Sequence, residues 1–318
     1  MLCAVKYFTD FYYFCTMQHF LKKLNTSLAN MYSEAEIHVI ANLLLENITG
    51  FTRLQLLTNK ELKLNDEQNE LANQYLERLK NHEPIQYILG ETEFQGLKFK
   101  VNSSVLIPRP ETEELVEWVS PHPLRDFPLK GEEMEEIGVL KSPRGDSGGF
   151  LDIGTGSGCI AISLKKKFPS ANVSAMDISQ DALMVAKANA ALNDADVEFI
   201  QDDILNPATT DRKWDVIVSN PPYIRASEHS EMDKNVTDFE PHLALFVHDN
   251  DPLIFYRKIA EFAITHLSPG GKLFFETHKD LAHECKQLLE AYGFTNVVIR
   301  KDISGNERMV QAILTANL

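Results

Sequence analysis

The sequence predicts an α/β protein. A mostly parallel, doubly wound sheet closes in a terminal antiparallel hairpin, and a helical bundle precedes it. Three observations carry that reading. From Phe150 onward, apolar strand-like runs alternate with amphipathic helical stretches, the pattern of repeated β–α–β units. Residues 17–90 instead repeat apolar side chains at helical spacing over most of their length. The chain has 318 residues, 44% hydrophobic and 24% charged, enough for about two domains of ordinary globular composition. That composition excludes collagen, wholesale disorder and a small disulfide scaffold.

Charge narrows the partners. With 31 Lys plus Arg against 46 Asp plus Glu, the net charge is −15. A broad electrostatic grip on nucleic acid needs a basic face, so direct nucleic-acid binding is not expected, although a local basic patch is not excluded. The four cysteines, Cys3, Cys15, Cys159 and Cys285, form no CxxC pair. Neither a metal site nor a disulfide framework is indicated, and scattered thiols suit a reducing cytoplasm. No apolar run reaches the ~18 residues of a membrane helix. Residues 1–16, MLCAVKYFTDFYYFCT, are aromatic, but Asp10 interrupts them, and Lys22 and Lys23 stand where a signal cleavage site would fall. They are read as a non-native or dispensable leader, with Met17 as a natural start.

The elements follow in order. In 17–83, a helical domain, Phe20, Leu21, Leu24 and Leu28 share a face. Ile37, Ile40, Ala41, Leu44 and Leu45 share another, behind Ser33 as N-cap with Glu36 completing a capping box. Leu54, Leu57, Leu62 and Leu64 lie around a turn-rich connection, and Leu71, Tyr75, Leu76 and Leu79 form a third face. Residues 84–119 read as a connector. It begins as a β-hairpin punctuated by Gly90 and Gly96, with Leu97, Phe99 and Val101 alternating, and ends in a helix from Thr112 to Val119. Residues 120–149 lose periodicity and fill with Pro, Gly and charge, so they read as an inserted surface loop. In 150–318, FLDI, NVSAMD, VEFIQ, WDVIVSN and GKLFFE are strands with helices between them. NVVIR and MVQAILT are the closing hairpin, and Gly293 ends the last helix.

A glycine loop joins the first of these strands to its helix. In LDIGTGSGCIA, Gly154, Gly156 and Gly158 permit a tight turn and close backbone approach to a ligand. Asp152 stands at the strand end. The next strand ends in Asp177, placed to accept both hydroxyls of a ribose, and the third ends at Asp202-Asp203, where an acid can meet an adenine amino group. A dinucleotide or S-adenosylmethionine suits such a unit. The dinucleotide fingerprint GxGxxG fits a helix N-terminus to a pyrophosphate; the spacing here is GTGSG. Acids beside the loop favour a cationic sulfonium, so S-adenosylmethionine is the preferred cofactor. Read structurally, Asp152 and Asp177 would only cap strand ends.

The fourth strand runs into Asn220, Pro221, Pro222 and Tyr223. Ligands of open parallel sheets sit at the carboxyl ends of strands, so this NPPY turn shares the crevice of the glycine loop. Two prolines stiffen it and remove two N–H donors. The Asn220 side chain and the Pro221 carbonyl then form a pair of acceptors, beside the flat wall of Tyr223. They suit a planar –NH2 nucleophile, whose lone pair would be aimed at a methyl group. Orientation and desolvation supply about 7–11 kcal/mol in favourable cases. Read structurally, NPPY is a turn that merely ends a strand.

These motifs together resemble a known family, the release-factor-specific protein-(glutamine-N5) methyltransferases of the PrmC/HemK type. The resemblance covers most of residues 17–318. It rests on PIQYILG at 84–90, IPRPETE at 107–113, LDIGTGSG at 151–158, SNPPYI at 219–224, FEP at 239–241 and GNER at 305–308. It implies a Rossmann-like class I methyltransferase domain behind a helical domain that docks the substrate. It also implies N5-methylation of the glutamine in a Gly-Gly-Gln motif of peptide chain release factors; a cytoplasmic monomer is expected. By matching position, Asp152, Gly154, Thr155, Gly156, Ser157, Gly158, Asp177, Asp203, Ile204 and Asn220 would hold cofactor. Asn220, Pro221, Pro222 and Tyr223 would hold the glutamine amide.

NPPY alone is shared with enzymes methylating adenine N6 or guanine N2, so a DNA or RNA amino-methyltransferase is the rival. A non-catalytic binder has no need of two acceptors beside a methyl group, and for a dehydrogenase no hydride-transfer residues can be placed. Four further readings complete the sequence. Arg109 and Glu111 either contact substrate or brace a junction. His278 is a polar residue at a helix entry, and Glu307 and Arg308 close the last hairpin. Lys165, Lys166 and Lys167 form a solvated helix end.

Overall fold

The computed structural model describes residues 17–59, 62–119, 149–208 and 210–315. The expectations for the leader before Met17 and for the insertion up to residue 148 lie outside these. The chain divides into two compact units between Leu89 and Gly90.

The first unit is helical: α1 (Met17–Leu28), α2 (Glu34–Thr49), α3 (Arg53–Thr58), α4 (Asp66–Lys80) and α5 (Ile85–Leu89). Capping boxes open α2, α3 and α4. At α2, Ser33 Oγ accepts from the Glu36 backbone N–H, and the Ser33 N–H donates to Glu36 Oε2 at 2.8 Å. Each box satisfies two orphan groups of a helix start. Phe20, Leu24, Leu28, Leu44, Leu45 and Leu76 fill the core. Two sequence expectations change here. Leu54 and Leu57 belong to a short helix, α3, and are exposed, while Leu56 is buried. Residues 85–89 are helical, not the start of a hairpin. Ile88 packs into the bundle core, and the Arg78 guanidinium donates to the Tyr87 and Ile88 carbonyls at 3.2 Å each, closing the short helix.

The second unit begins with β1 (Glu91–Phe94) and β2 (Leu97–Lys100), paired antiparallel. Gln95 and Gly96 both have positive φ, 52° and 70°, as a two-residue turn matched to strand twist requires. Then come α6 (Pro110–Val119), with proline at its first position, β3 (Gly149–Ile153), α7 (Cys159–Lys167), β4 (Asn172–Asp177), α8 (Gln180–Leu192), β5 (Glu198–Gln201) and β6 (Trp214–Ser219). Short pieces follow, β7 (Ile224–Arg225), α9 (Lys234–Thr237), α10 (His242–Leu245) and β8 (Phe246–Val247). The unit ends with α11 (Ile254–His266), β9 (Leu267–Glu276), α12 (Ala282–Ala291), β10 (Phe294–Lys301) and β11 (Glu307–Leu314).

The seven-stranded sheet has the order β5–β4–β3–β6–β9–β11–β10. Strands β5 through β9 in that order run parallel; β11 runs antiparallel between β9 and β10. The doubly wound sheet with a closing hairpin is therefore the architecture observed. Two apolar layers cover it, one around Tyr256, Phe275 and Leu289, the other around Phe99, Leu115 and Phe274. The chain turns from β3 to β4 on one side and reaches β6 on the other, so the crevice opens at the carboxyl ends of β3, β4 and β6. The segment between β6 and α11 has no periodicity of either kind, and its short helices and the β7–β8 ladder had no sequence signal.

Gly154 and Gly158 differ in what surrounds them. Both have φ near the left-handed region, 73° and 82°. A Cβ at Gly154 would meet nothing within 4 Å, whereas at Gly158 it would lie 3.0 Å from Ile162 Cδ1 and 3.2 Å from Ala186 Cβ. Left-handed backbone costs a side chain about 1–2 kcal/mol, and overpacking adds about 1–3 kcal/mol. Gly158→Ala should therefore destabilise the protein clearly more than Gly154→Ala in urea unfolding; equal losses would show that α7 and α8 yield freely.

Candidate active site

Three strand ends build the site. Gly154 follows β3, and its N–H and that of Thr155 both donate to the Met176 carbonyl on β4, at 2.8 and 3.0 Å. Asp177 ends β4. Its Oδ2 accepts from Gly156 N–H at 2.8 Å and its Oδ1 from Ser179 N–H at 2.9 Å, which ties the glycine loop to the neighbouring strand. Ser219 ends β6 and donates its hydroxyl to the Ile153 carbonyl at 2.7 Å. The tips of β3 and β6 are thus latched beneath Asn220.

One cavity joins these pieces. Gly154, Gly156, Asp177, Asp203, Ile204, Asn220, Pro221 and Pro222 line it together. Ile178, Asp202 and Phe255 complete its wall, with Val105 and Leu106 just ahead of the IPRPETE segment and Leu243 from α10. Its three acids are Asp177, Asp202 and Asp203, and none of the described lining residues is basic. A pyrophosphate would find no cation there. A sulfonium with an amino-acid ammonium finds carboxylates, and an adenine finds Ile178, Ile204 and Phe255. Gly154 and Gly156 present backbone with open space where a Cβ would lie. The residues present therefore fit S-adenosylmethionine better than a dinucleotide.

Four of the expected cofactor residues do not line this cavity, and the loop geometry gives the reason. Positive φ at Gly154, Gly156 and Gly158 carries Thr155 and Ser157 to the buried side. Asp152 lies behind the loop, fully buried. Its Oδ2 accepts from Thr155 Oγ1 at 2.6 Å and from Ala161 N–H at 3.2 Å, while Oδ1 has no partner among the described residues. Asp152 thus caps the start of α7, whose own N-cap, Gly158, offers no side chain. Burial pushes its carboxyl up to about 7. Asn189 is a further holder that the sequence did not reveal. It is fully buried on α8, and its Nδ2 donates to the Ser157 carbonyl at 2.9 Å and to the Lys100 carbonyl at 3.0 Å.

Around NPPY lies a second network. Asn220 Nδ2 donates to Thr112 Oγ1 at 3.1 Å, and Thr112 Oγ1 donates to Glu276 Oε2 at 2.7 Å. Tyr223 does not line the cavity. Its hydroxyl donates to Glu276 Oε1 at 3.3 Å, and its ring packs against His278 with centroids 6.0 Å apart. His278 accepts from Asp280 N–H at Nδ1 and faces Glu228 at 3.4 Å, and burial holds its pKa below the ordinary value. It supports Tyr223 at the entry to α12. Arg109 braces rather than probes: Nη2 donates to Glu240 Oε1 at 2.5 Å, and Ile107 N–H donates to Glu240 Oε2 at 3.1 Å. The Glu240 of FEP thereby holds the IPRPETE segment. Lys165 and Lys166 donate to the Ala171 and Asn193 carbonyls, and Lys167 pairs with Glu117.

Burial pushes the Glu276 carboxyl from its ordinary 4.5 up to about 7, against the lowering hydrogen bond from Thr112 and the charge of Arg308. The folded chain therefore holds this proton more tightly than the unfolded chain, so stability falls as pH climbs from about 4.5 to about 7. Glu276→Gln should flatten that loss by on the order of 3 kcal/mol, at about 1.4 kcal/mol per pKa unit. Denaturant unfolding of both proteins between pH 4.5 and 8 checks it; parallel curves would place the Glu276 proton elsewhere.

Comparison with known proteins points to one family. Residues 20–90 match the PrmC N-terminal domain, and residues 137–238 match the methyltransferase small domain. The release factor glutamine methyltransferase of Flavobacterium psychrophilum is 48% identical over 285 residues, spanning 90% of this chain and 94% of that protein. The protein of the same name from Bacteroides thetaiotaomicron is 42% identical, spanning 92% of this chain and 97% of its own. A solved structure, the release factor-specific protein-(glutamine-N5) methyltransferase of Alicyclobacillus acidocaldarius, is 28% identical; it covers 69% of this chain and 100% of that one, with a TM-score of 0.39. With relatives this similar along nearly their whole length, the chain belongs to the release factor glutamine methyltransferase family.

Proposed function

We propose that this protein methylates the side-chain amide nitrogen, N5, of the glutamine in the Gly-Gly-Gln motif of peptide chain release factors. One observation carries the reading: the NPPY acceptors line the same acid-walled cavity as Gly154, Gly156 and Asp177. When bound, S-adenosylmethionine supplies a methyl group on a positively charged sulfur. Asp177 would hold the ribose hydroxyls, Asp203 and Ile204 would flank the adenine, and the Gly154–Gly156 backbone would lie against the amino-acid part.

The substrate amide is held by the tetrapeptide. Asn220 Oδ1 and the Pro221 carbonyl accept its two N–H bonds, so its nitrogen is presented in one orientation. Proline at 221 and 222 keeps the turn rigid and free of competing donors, and Tyr223 backs it. Orientation and exclusion of water do the work, and no dedicated base is required, because the methylated nitrogen is strongly acidic. The helical unit is read as the docking domain for the release factor, and the protein as a monomer. Buried free thiols at Cys159 and Cys285 suit the cytoplasm. Among the described residues no helix is long and apolar enough to cross a membrane. The net charge of −15 and lysines committed to carbonyls and Glu117 favour a protein substrate over nucleic acid.

Mass spectrometry of the tryptic Gly-Gly-Gln peptide, after incubation of release factor with enzyme and labelled cofactor, should show one added methyl group. Comparable kcat/KM on DNA or ribosomal RNA would transfer the assignment to an amino-base substrate. Asn220→Ala should lower kcat by roughly 100- to 1000-fold, as loss of one oriented polar group does, with cofactor affinity nearly unchanged. Asp177→Ala should weaken cofactor binding by about 1–3 kcal/mol through lost charge-assisted hydrogen bonds; unchanged affinity by calorimetry in a folded variant would remove Asp177 from the site.

A further inference from the structure

Asn220 can accept the substrate amide only if its carboxamide faces the right way. Its Oδ1 and Nδ2 are nearly the same size, so shape alone does not choose between the two orientations. Reversed, the carboxamide would set its own –NH2 against the –NH2 of the glutamine, donor against donor. Something beneath Asn220 has to break that symmetry.

The hydrogen-bond chain behind it does so by counting protons. Thr112 has one hydroxyl proton, and it is directed at Glu276 Oε2, 2.7 Å away, inside the protein. Thr112 is 3% exposed and Glu276 is 1% exposed, so neither exchanges partners freely with water. With its proton spent, Thr112 Oγ1 offers only lone pairs to Asn220, 3.1 Å away. Asn220 must then turn Nδ2 towards Thr112, which leaves Oδ1 on the opposite side. Once ionised, above a pH of about 7, the carboxylate has no proton to give, so the direction of every bond in the row follows from Glu276. The same carboxylate accepts from the Tyr223 hydroxyl through its other oxygen. It thus grips the NPPY turn at both ends.

We propose that Thr112 and Glu276 are positioning residues for methyl transfer, fixing the Asn220 carboxamide with Oδ1 towards the substrate nitrogen. This rests on the proposed function and adds to it the pair that makes NPPY a directional acceptor. Both residues act from outside the tetrapeptide, on α6 and at the end of β9.

The test is a double-mutant cycle with purified release factor and labelled S-adenosylmethionine at pH 8.5, where the carboxylate is ionised. Thr112→Val keeps the shape and removes the hydroxyl. It should lower kcat about 10- to 100-fold, the scale of a small misplacement at a reacting centre, with cofactor Kd and KM for release factor within about twofold. Thr112→Ser restores the hydroxyl and should recover kcat to within about threefold of wild type. On an Asn220→Ala background, Thr112→Val should add less than a further twofold, because the group it orients is gone.

Should the valine variant not fold, Thr112→Ala enters the same cycle. Retention of wild-type kcat by a folded Thr112→Val overturns the proposal, and so does a full, multiplicative loss on the Asn220→Ala background, which marks a role apart from Asn220. Failure of the wild-type enzyme to label the release-factor glutamine overturns the proposed function instead, so the two failures are told apart by the wild-type control.

Discussion

A buried carboxylate has to be hydrogen-bonded, and at Glu276 that requirement shapes the site. The side chain ends β9 with no route to solvent, so its partners come from the protein. Thr112 arrives from α6 and Tyr223 from the turn after β6, and the Glu276 carbonyl accepts from the Tyr256 hydroxyl on α11 at 3.3 Å. Three elements far apart in sequence are drawn to one point. Next to it, Thr277 N–H donates to the Arg308 carbonyl at 2.7 Å, so the closing hairpin joins the same corner, and the Arg308 charge partly offsets the burial of the acid.

The acids of this site cost stability. Burial raises the carboxyls of Asp152, Asp177 and Glu276 alike, so each is harder to keep ionised in the folded protein than in water. A protein selected for stability alone would bury apolar groups here. The cost is explained by what the acids do: Asp152 secures the start of α7, Asp177 fastens the glycine loop to β4, and Glu276 orders NPPY. Two of the three do not face the cavity. Much of the negative charge near the cofactor site therefore serves to hold backbone, and the lining acids Asp177, Asp202 and Asp203 are the ones left to meet a cation.

The sequence was informative where chemistry follows from topology. Gly154, Asp177 and Asn220 can be placed together from the sequence because ligands of an open parallel sheet gather where its strands end. The capping box at Ser33 was legible because it is local. Asp152 was harder. An acid near a strand end can face the ligand or the interior, and here bonds to Thr155 and the Ala161 N–H hold Asp152 on the buried side. Thr112 stood in the IPRPETE motif with no role assigned to it, and Glu276 and Asn189 left no usable signal. A threonine in a helix, a glutamate at a strand end and an asparagine in a helix are all common on surfaces, and each becomes meaningful only through partners scores of residues away. Residues 85–89 failed for another reason: five residues are too few for periodicity to separate a helical turn from a strand.

The acceptor pair explains the reaction better than it explains the choice of substrate. Asn220 Oδ1 and the Pro221 carbonyl would hold the –NH2 of an adenine as well as that of a glutamine, since both are planar and both donate two N–H bonds. Nothing in the row Glu276, Thr112, Asn220 distinguishes them; it fixes direction, not identity. Discrimination then has to come from what surrounds the amide, and here the charge decides. Nucleic acid brought to this cavity would meet Asp202 and Asp203 in its wall on a chain of net charge −15, with Lys165, Lys166 and Lys167 already engaged. A phosphate backbone gains little on such a surface. A glutamine carried on a protein loop brings no phosphates of its own, and its approach can be guided by protein–protein contact outside the cavity. The tetrapeptide thus sets which bond is made, while the chain around it sets which molecule presents the nitrogen.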